Sequence, residues 1–480
     1  MGFSALFILI LALSNQTALP AFGVHFFAAA NAQASSDSKL AEVRRQDQIA
    51  RNARGVVTRL TPEEHLRRAS VYHTNRAFQE ARDHWQALIN YYPSNPRVPE
   101  AIFGIGRSYF QSRHYAEAYT HYDKLARSYP STKEGREGLN FSAAALLRMG
   151  RASDAADRYI EYINSFSDGE RIDTAHLNAI DTLREAGRNR EAADWVSRTR
   201  QRFPGTVTDT NAIFGQLRLE VSEENWASAA ATADELGRRS LQKGVATSPS
   251  EVMYLKGYSL ERAGRKDDAI NAYLSVAGGI HSYYGWLATE RLTGLVDSNR
   301  RGLVNERFNR TTSEASRAAD QYPAPYRQSI VAASKTRKLD PRFILAIIRQ
   351  ESVFKPLAKS PAGARGLLQL TIDAAQKYAT TAGINSLREN QLYQPETSIL
   401  IGSEYLRELY SMFPNMHEAV AASYNGGEDN VARWVNRAKH KDPGVFTSEV
   451  GFDETKGYVQ KVMNNYRVYK QLYNSDLTRR

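Results

Sequence analysis

The 480-residue sequence contains no cysteine. That excludes a disulfide framework, thiolate chemistry and a cysteine-linked lipid anchor. Strand-like alternation is almost absent between residues 60 and 275, where helix periodicity dominates. Long apolar runs are missing too. The N-terminal run, Gly2 to Ser14, falls short of the roughly 20 residues a membrane span needs, and Pro20 interrupts its looser continuation. No Lys or Arg precedes that run, so the usual positive start of an export signal is absent. Ala30-Asn31-Ala32-Gln33-Ala34 nevertheless offers two small-x-small cleavage positions, after Ala32 and after Ala34. Residues 1–34 therefore read as a secretory signal peptide, with a retained N-terminal anchor as the competing reading.

What is present sets the scale. Hydrophobic residues make up 42% of the chain, enough for real cores, and the length predicts two or three domains. The net charge of +11 favours an anionic partner. No nucleic-acid motif accompanies it and export argues against nucleic acid, so an acidic wall polymer or a membrane surface fits better. A generally charged surface is the plainer alternative.

Two series reveal a repeat. Pro93, Pro130 and Pro204 follow Tyr or Phe, and Phe166-Ser167 fills the missing slot, so the period is 37 residues. Ala81, Ala118, Ala155, Ala192 and Ala229 keep the same phase, and Ala269 follows after 40. A small residue lets neighbouring helices approach closely. An aromatic about one turn later (Trp85, Tyr119 to Tyr122, Tyr159, Trp195) can cover the crossing. Proline then stops the second helix. Stacked pairs of this kind predict a curved solenoid over residues 35–288, and Tyr254 to Tyr273 closely resembles a tetratricopeptide repeat. His281 to Ala288 carries three aromatics around Gly285, read as packing at the end of the repeats rather than as a glycan-stacking surface. Residues 289–320, rich in Arg, Asn, Ser and Thr, read as a linker to a domain over 321–480.

In that last domain Asp340-Pro341 predicts a helix start, with Asp as cap and Pro at the first position. Ile344, Ile347 and Ile348 stand at i−7, i−4 and i−3 from Glu351, which places Glu351 on the apolar face. A carboxyl there is poorly solvated when charged, so its pKa should rise, as a general acid for glycosidic cleavage requires. Ser360-Pro361-Ala362-Gly363-Ala364-Arg365-Gly366 predicts a compact loop, and Leu367-Leu368-Gln369-Leu370 the start of another apolar helix. Ala422-Ser423-Tyr424-Asn425-Gly426-Gly427 ends a helix with a phenol and an amide, groups suited to sugar hydroxyls and N-acetyl groups.

Four ordered segments carry a resemblance: AIIRQES ending at Ser352, SPAGARGLLQL from Ser360, AASYNGG from Ala421 and ETKGYVQKV from Glu454. A weaker fifth lies around Pro395 and Ile401 to Leu406. Together they resemble the soluble lytic transglycosylase family, lysozyme-like enzymes of peptidoglycan turnover. The resemblance implies an all-α chain, a tetratricopeptide-like α-superhelix followed by a lysozyme-like catalytic domain. It implies that Glu351 is the catalytic acid and that Ser360, Gln369, Tyr424, Asn425 and Glu454 contact or line the substrate site, with no cofactor and no metal. The implied partners are peptidoglycan glycan strands in the periplasm, with room for cell-wall synthesis or remodelling proteins and none for nucleic acid. Leu368, Thr371 to Ala374, Ser423, Gly426 and Lys355 depart from the family pattern.

Ordinary glycosidases use two carboxylates, and the sequence offers one well-placed acid. Glu404, Glu428 and Asp429 are the other candidates, but their surroundings read as solvated. The resemblance implies cleavage of the β-1,4 bond between N-acetylmuramic acid and N-acetylglucosamine without water, leaving 1,6-anhydro ends, with Glu351 acting as acid and then base. A hydrolysing muramidase of the same fold, or a scaffold whose solenoid is the working part, are the alternatives.

Overall fold

The computed structural model describes residues 25–360 and 363–480, with side chains from Ser38 onward. The signal peptide expected over 1–34 lies outside the residues described in full. Among the described residues every regular element is a helix, and β-pairing is limited to isolated bridges. None of these helices is long and apolar enough to cross a membrane.

Helix α1 (His25–Ala50) precedes six helix pairs. They are α2 (Pro62–Thr74) with α3 (Phe78–Tyr91), α4 (Val98–Gln111) with α5 (Tyr115–Ser128), and α6 (Lys133–Arg148) with α7 (Ala152–Ser165). Then come α8 (Ile172–Glu185) with α9 (Asn189–Arg202), α10 (Val207–Ser222) with α11 (Trp226–Gly237), and α12 (Pro249–Arg262) with α13 (Lys266–Ser275). The alanines of the 37-residue series sit once on each second helix, and all six are fully buried. Their aromatic companions cover glycines of a partner helix: a Cβ on Gly104 would stand 2.4 Å from the Trp85 ring, and one on Gly257 2.7 Å from that of Tyr273. Thr61, Thr132, Thr206 and Ser248 cap α2, α6, α10 and α12 by accepting from the backbone N–H three residues on. Helices α3, α5 and α9 stop two residues before Pro93, Pro130 and Pro204, and α7 stops equally far before Ser167. The fold therefore sets this boundary, and proline only reinforces it.

The turn inside each pair repeats as well. Arg76, Arg113, Gly150, Gly187, Glu224 and Gly264 all have φ between 61° and 76°, and they keep the spacing of the alanines. The turn needs a left-handed residue, which glycine supplies without strain and other residues supply at a cost.

The chain divides into two compact units, one up to Phe203 and one from Pro204 onward. The second unit holds α10 to α13, then α14 (Tyr283–Leu295), α15 (Arg301–Arg317), α16 (Arg327–Arg337), α17 (Pro341–Ser352) and α18 (Ile372–Ala379). It ends with α19 (Pro395–Met412), α20 (His417–Gly426), α21 (Glu428–Ala438), α22 (Pro443–Glu449) and α23 (Asp453–Leu472). Its apolar core is continuous from Ile213 to Leu477, so the last two repeat pairs share one interior with the C-terminal helices.

The expected linker over 289–320 is helical instead, occupied by the end of α14 and by α15. The apolar face of α15 is thin: only Val304, Thr311 and Ala315 are buried, at spacings of 7 and 4. Arg307 adds to it by donating to the carbonyls of Leu274, Val276 and Gly285 and to Thr289 Oγ1. Arg307, one of the polar residues that make the stretch read as a linker, is thus spent on the carbonyls of neighbouring elements. Tyr283 and Tyr284 are buried, which makes that aromatic segment packing.

The repeating turn gives a clean stability test. A Cβ on Gly187 would meet nothing within 4 Å, so Gly187→Ala probes backbone strain alone and should cost about 1 kcal/mol in denaturant unfolding. The reverse exchange at the same repeat position, Glu224→Gly, should be neutral or stabilising. A neutral Gly187→Ala would show that the turn relaxes.

Candidate active site

Asp340 caps α17, its Oδ1 accepting from Arg342 N at 2.9 Å. The Arg342 guanidinium grips the same carboxylate, and Tyr466 OH donates to its Oδ2 at 2.9 Å. The start of α17 is therefore fixed by three donors. Phe343 to Ile348 are all buried, and α17 packs along α23. Glu351 occupies the last turn, above the three isoleucines. Directly after it Val353 and Phe354 both have left-handed backbones, φ 49° and 61°. For a β-branched valine that is a strained conformation, and it turns the chain sharply away beneath the acid.

The segment from Lys359 to Leu370 folds back on itself through isolated bridges of Arg365 with Lys359 and with Leu370. It does not begin a helix at Leu367, as the apolar run suggests. Gly366 and Gln369 have φ of 79° and 46°, and the next helix starts only at Ile372, capped by Thr371 Oγ1.

Glu351, Ser360, Gln369, Tyr424 and Asn425 line one cleft, joined by Thr371, Ala374 and Tyr405, enclosing about 600 Å³ of space partly open to solvent. Each polar group already has one protein contact, which decides what it can offer a ligand. Ser360 Oγ accepts from Ala364 N (3.1 Å), so its O–H is the outward donor. Gln369 Nε2 donates to the carbonyls of Ala358 (3.1 Å) and Gly366 (2.9 Å), which leaves Oε1 as the acceptor. Tyr424 OH donates to Leu368 O at 2.6 Å and so faces the cleft as an acceptor. Asn425 Oδ1 accepts from Thr455 Oγ1 at 2.6 Å, leaving its N–H groups. Gly426 explains itself here: a Cβ would sit 2.8 Å from Thr455 Cγ2. Glu454 does not join the lining and is exposed on the first turn of α23.

Tyr458, within the ETKGYVQKV segment, joins the site without a sequence expectation behind it. Its hydroxyl donates to Glu351 Oε1 at 2.6 Å. Its signal was helical spacing, four residues after Glu454 and hence on the same side of α23. Burial pushes the Glu351 carboxyl up to about 7, the bond from Tyr458 opposes this, and the negative charge of Glu454 adds to it.

Residues 328–446 match the family model of the transglycosylase SLT domain, and residues 66–132 and 214–282 match that of a tetratricopeptide repeat. The putative soluble lytic murein transglycosylase of Haemophilus influenzae is 36% identical over 155 residues, 32% of this chain and 26% of that protein. The soluble lytic murein transglycosylase of Escherichia coli K12 is 34% identical over 161 residues, 33% of this chain and 24% of that protein. Over its C-terminal third the chain is similar to soluble lytic murein transglycosylases, and residues 328–446 carry the SLT domain match. It spans about a quarter of the length of these curated relatives. A solved structure of the lytic transglycosylase Slt of Pseudomonas aeruginosa, an inactive mutant, covers 85% of this chain and 79% of its own at 21% identity and a TM-score of 0.51, a likeness of fold.

The SLT match contains the five cleft residues but ends before Glu454 and Tyr458. Glu404 and Glu428, which read as solvated, are both buried. Glu404 is held by Arg337 and Arg407, each at 2.8 Å, and neither glutamate lines the cleft. A glutamate among short polar neighbours looks exposed in sequence, and only the packing of α16 on α19 brings Arg337 to it.

The raised pKa of Glu351 is also a statement about stability. The native state favours the protonated form, so stability is lost as pH rises from about 4.5 through about 7. Glu351→Gln removes that loss. The variant should be the more stable protein at pH 8, by at most about 3 kcal/mol, with the gap closing toward pH 5. A gap that does not vary with pH in denaturant unfolding would place the carboxyl in its ordinary range.

Proposed function

We propose that this chain is a peptidoglycan lytic transglycosylase of the periplasm, cutting the β-1,4 bond between N-acetylmuramic acid and N-acetylglucosamine without water. The observation that carries the reading is a single carboxyl in the cleft, raised to about 7 by burial and hydrogen-bonded to Tyr458, with no second carboxylate among the described residues lining the cleft. A hydrolase of the two-carboxylate type would need one.

Glu351 gives its proton to the glycosidic oxygen, and N-acetylglucosamine leaves with a free 4-hydroxyl. The substrate's own N-acetyl group stabilises the positive charge at muramic C1. The Glu351 carboxylate then takes the proton of the C6 hydroxyl, whose oxygen closes on C1 to form the 1,6-anhydro ring. Acid and base are one group, so the proton is returned and none is consumed. Tyr458 supports the first half of this cycle, because its hydrogen bond stabilises the carboxylate that forms when the proton leaves. Ser360 and the amide of Asn425 offer donors to the N-acetyl or lactyl oxygens, Gln369 Oε1 and Tyr424 Oη offer acceptors, and Glu454 tunes the acid from the rim. The domain layout follows: repeats over 35–288, then the catalytic region, with the glycan strand as substrate and wall-synthesis or remodelling proteins as partners.

Digestion of purified peptidoglycan with mass analysis tests the reaction. Anhydromuropeptides should form with the wild type and vanish with Glu351→Gln, whereas reducing-end products would mean hydrolysis. The pH profile should fall on its basic side near 7, where the acid loses its proton. In Tyr458→Phe that basic limb should move to higher pH, since the bond that favours the carboxylate is gone. A downward move would refute this account of the tuning.

A further inference from the structure

Helix α23 makes contacts on two opposite sides. Tyr458 reaches Glu351 on one, and Thr455 holds Asn425 in the cleft wall. Lys456 stands two residues before Tyr458, about 200° round the helix, and points into the last repeat pairs. Its Nζ donates to Glu251 Oε1 at 3.0 Å and to Ala246 O at 2.9 Å, and lies 4.9 Å from the centre of the Phe214 ring. The other Glu251 oxygen accepts from Thr247 Oγ1 at 2.9 Å. Glu251 is 1% exposed and Lys456 7%, so this is a buried ion pair with its remaining valences filled.

A buried pair of this kind seldom stabilises a fold more than apolar residues of the same volume would. What it can supply is register: a charge that must meet its partner fixes the height and rotation of the element that carries it. Two more links hold the same end of the molecule to the repeats. Asp442, the cap of α22, accepts from Tyr254 OH at 2.8 Å and pairs with Arg291. Asn464, two turns further along α23, donates to His281 O at 2.9 Å.

We propose that Glu251, on the first helix of the last repeat pair, is a positioning residue for Glu351. It holds Lys456, and Lys456 sets the seat of the Tyr458 hydroxyl on the acid. The proposal rests on Glu351 being the acid of the reaction proposed above. It assigns the repeats from Pro204 onward a part in the chemistry rather than in strand binding alone. The groups facing the Glu351 carboxyl are Tyr458 and Glu454 from α23 and Tyr424 from α20. Only the first two depend on the setting of α23. Loosening it weakens the bond from Tyr458 and leaves burial unopposed, so Glu351 should titrate higher.

The test uses the full chain with Glu251→Gln, Lys456→Met and the double variant Glu251→Leu with Lys456→Met. Cleavage of uncrosslinked glycan strands is followed across pH, with thermal melting as the folding control. The Glu351 carboxyl is titrated directly by carbon NMR, assigned by difference from Glu351→Gln. The single variants should lower kcat about tenfold with KM within about twofold, and move both the basic limb and the carboxyl titration upward. Variants that melt earlier but keep the wild-type kcat, limb and titration below melting would overturn the proposal, leaving the pair purely structural. If the single variants do not fold, the double variant, with no lone buried charge, decides it: a raised titration supports the proposal and a wild-type one overturns it. If the wild type yields no anhydro products, the reading of the reaction fails. The NMR titration still decides the positioning role.

Discussion

A carboxyl group set where water cannot fully solvate it needs a neighbour to carry its charge when the proton leaves. Here Tyr458 donates to Glu351 at 2.6 Å, above a floor of buried isoleucines. Much of the C-terminal half serves to keep these two groups together. The cap at Asp340 fixes where α17 begins, the left-handed turn at Val353 and Phe354 clears the space beyond the acid, and Gly426 lets α20 come close enough to α23 for Asn425 to meet Thr455. A strained valine next to the acid is tolerated because the helix behind it is over-determined by packing.

The same dependence explains where the molecule divides. Repeats defined by sequence period run on to Ser275, yet the compact unit containing the acid starts at Pro204. Sequence period reports local helix-pair geometry, which does not change there. The division reports shared core, and from Ile213 onward the repeats bury their apolar faces with the C-terminal helices. Charged residues follow the core: Glu251, Glu449 and Asp442 are almost fully buried, each paired with a basic residue. Charges so deeply buried are costly to leave unpaired, which ties α22 and α23 to the repeat helices more firmly than apolar contact alone.

Much of this was legible beforehand, for identifiable reasons. The alanine series could be read because a small residue is obligatory wherever two helices cross closely, and all six are fully buried. Glu351 could be placed on an apolar face because three isoleucines share its helical phase. The stretch 289–320 reads as a linker because the buried face of α15 is only three residues wide, and Arg307 is turned to carbonyls of neighbouring elements. The run Leu367 to Leu370 reads as a helix start because a left-handed Gln369 leaves no mark in hydropathy. Glu404 looked wet because its partner Arg337 lies on a different helix.

Local pattern in the chain is enough for the helical class, the repeat and its phase, the helix that carries Glu351 and the likeness of the C-terminal region to the SLT domain. These rest on local periodicity and on short ordered motifs, which need no knowledge of distant contacts. Tertiary structure alone decided that Tyr458 meets the acid across 107 residues of chain, that Lys456 meets Glu251 across 205, and which atoms of Ser360, Gln369, Tyr424 and Asn425 remain to face a ligand. Such pairings depend on the packing of whole helices. A glutamate thus enters as one acidic residue on an apolar face, and the fold makes it a carboxyl with a chosen partner and a raised pKa.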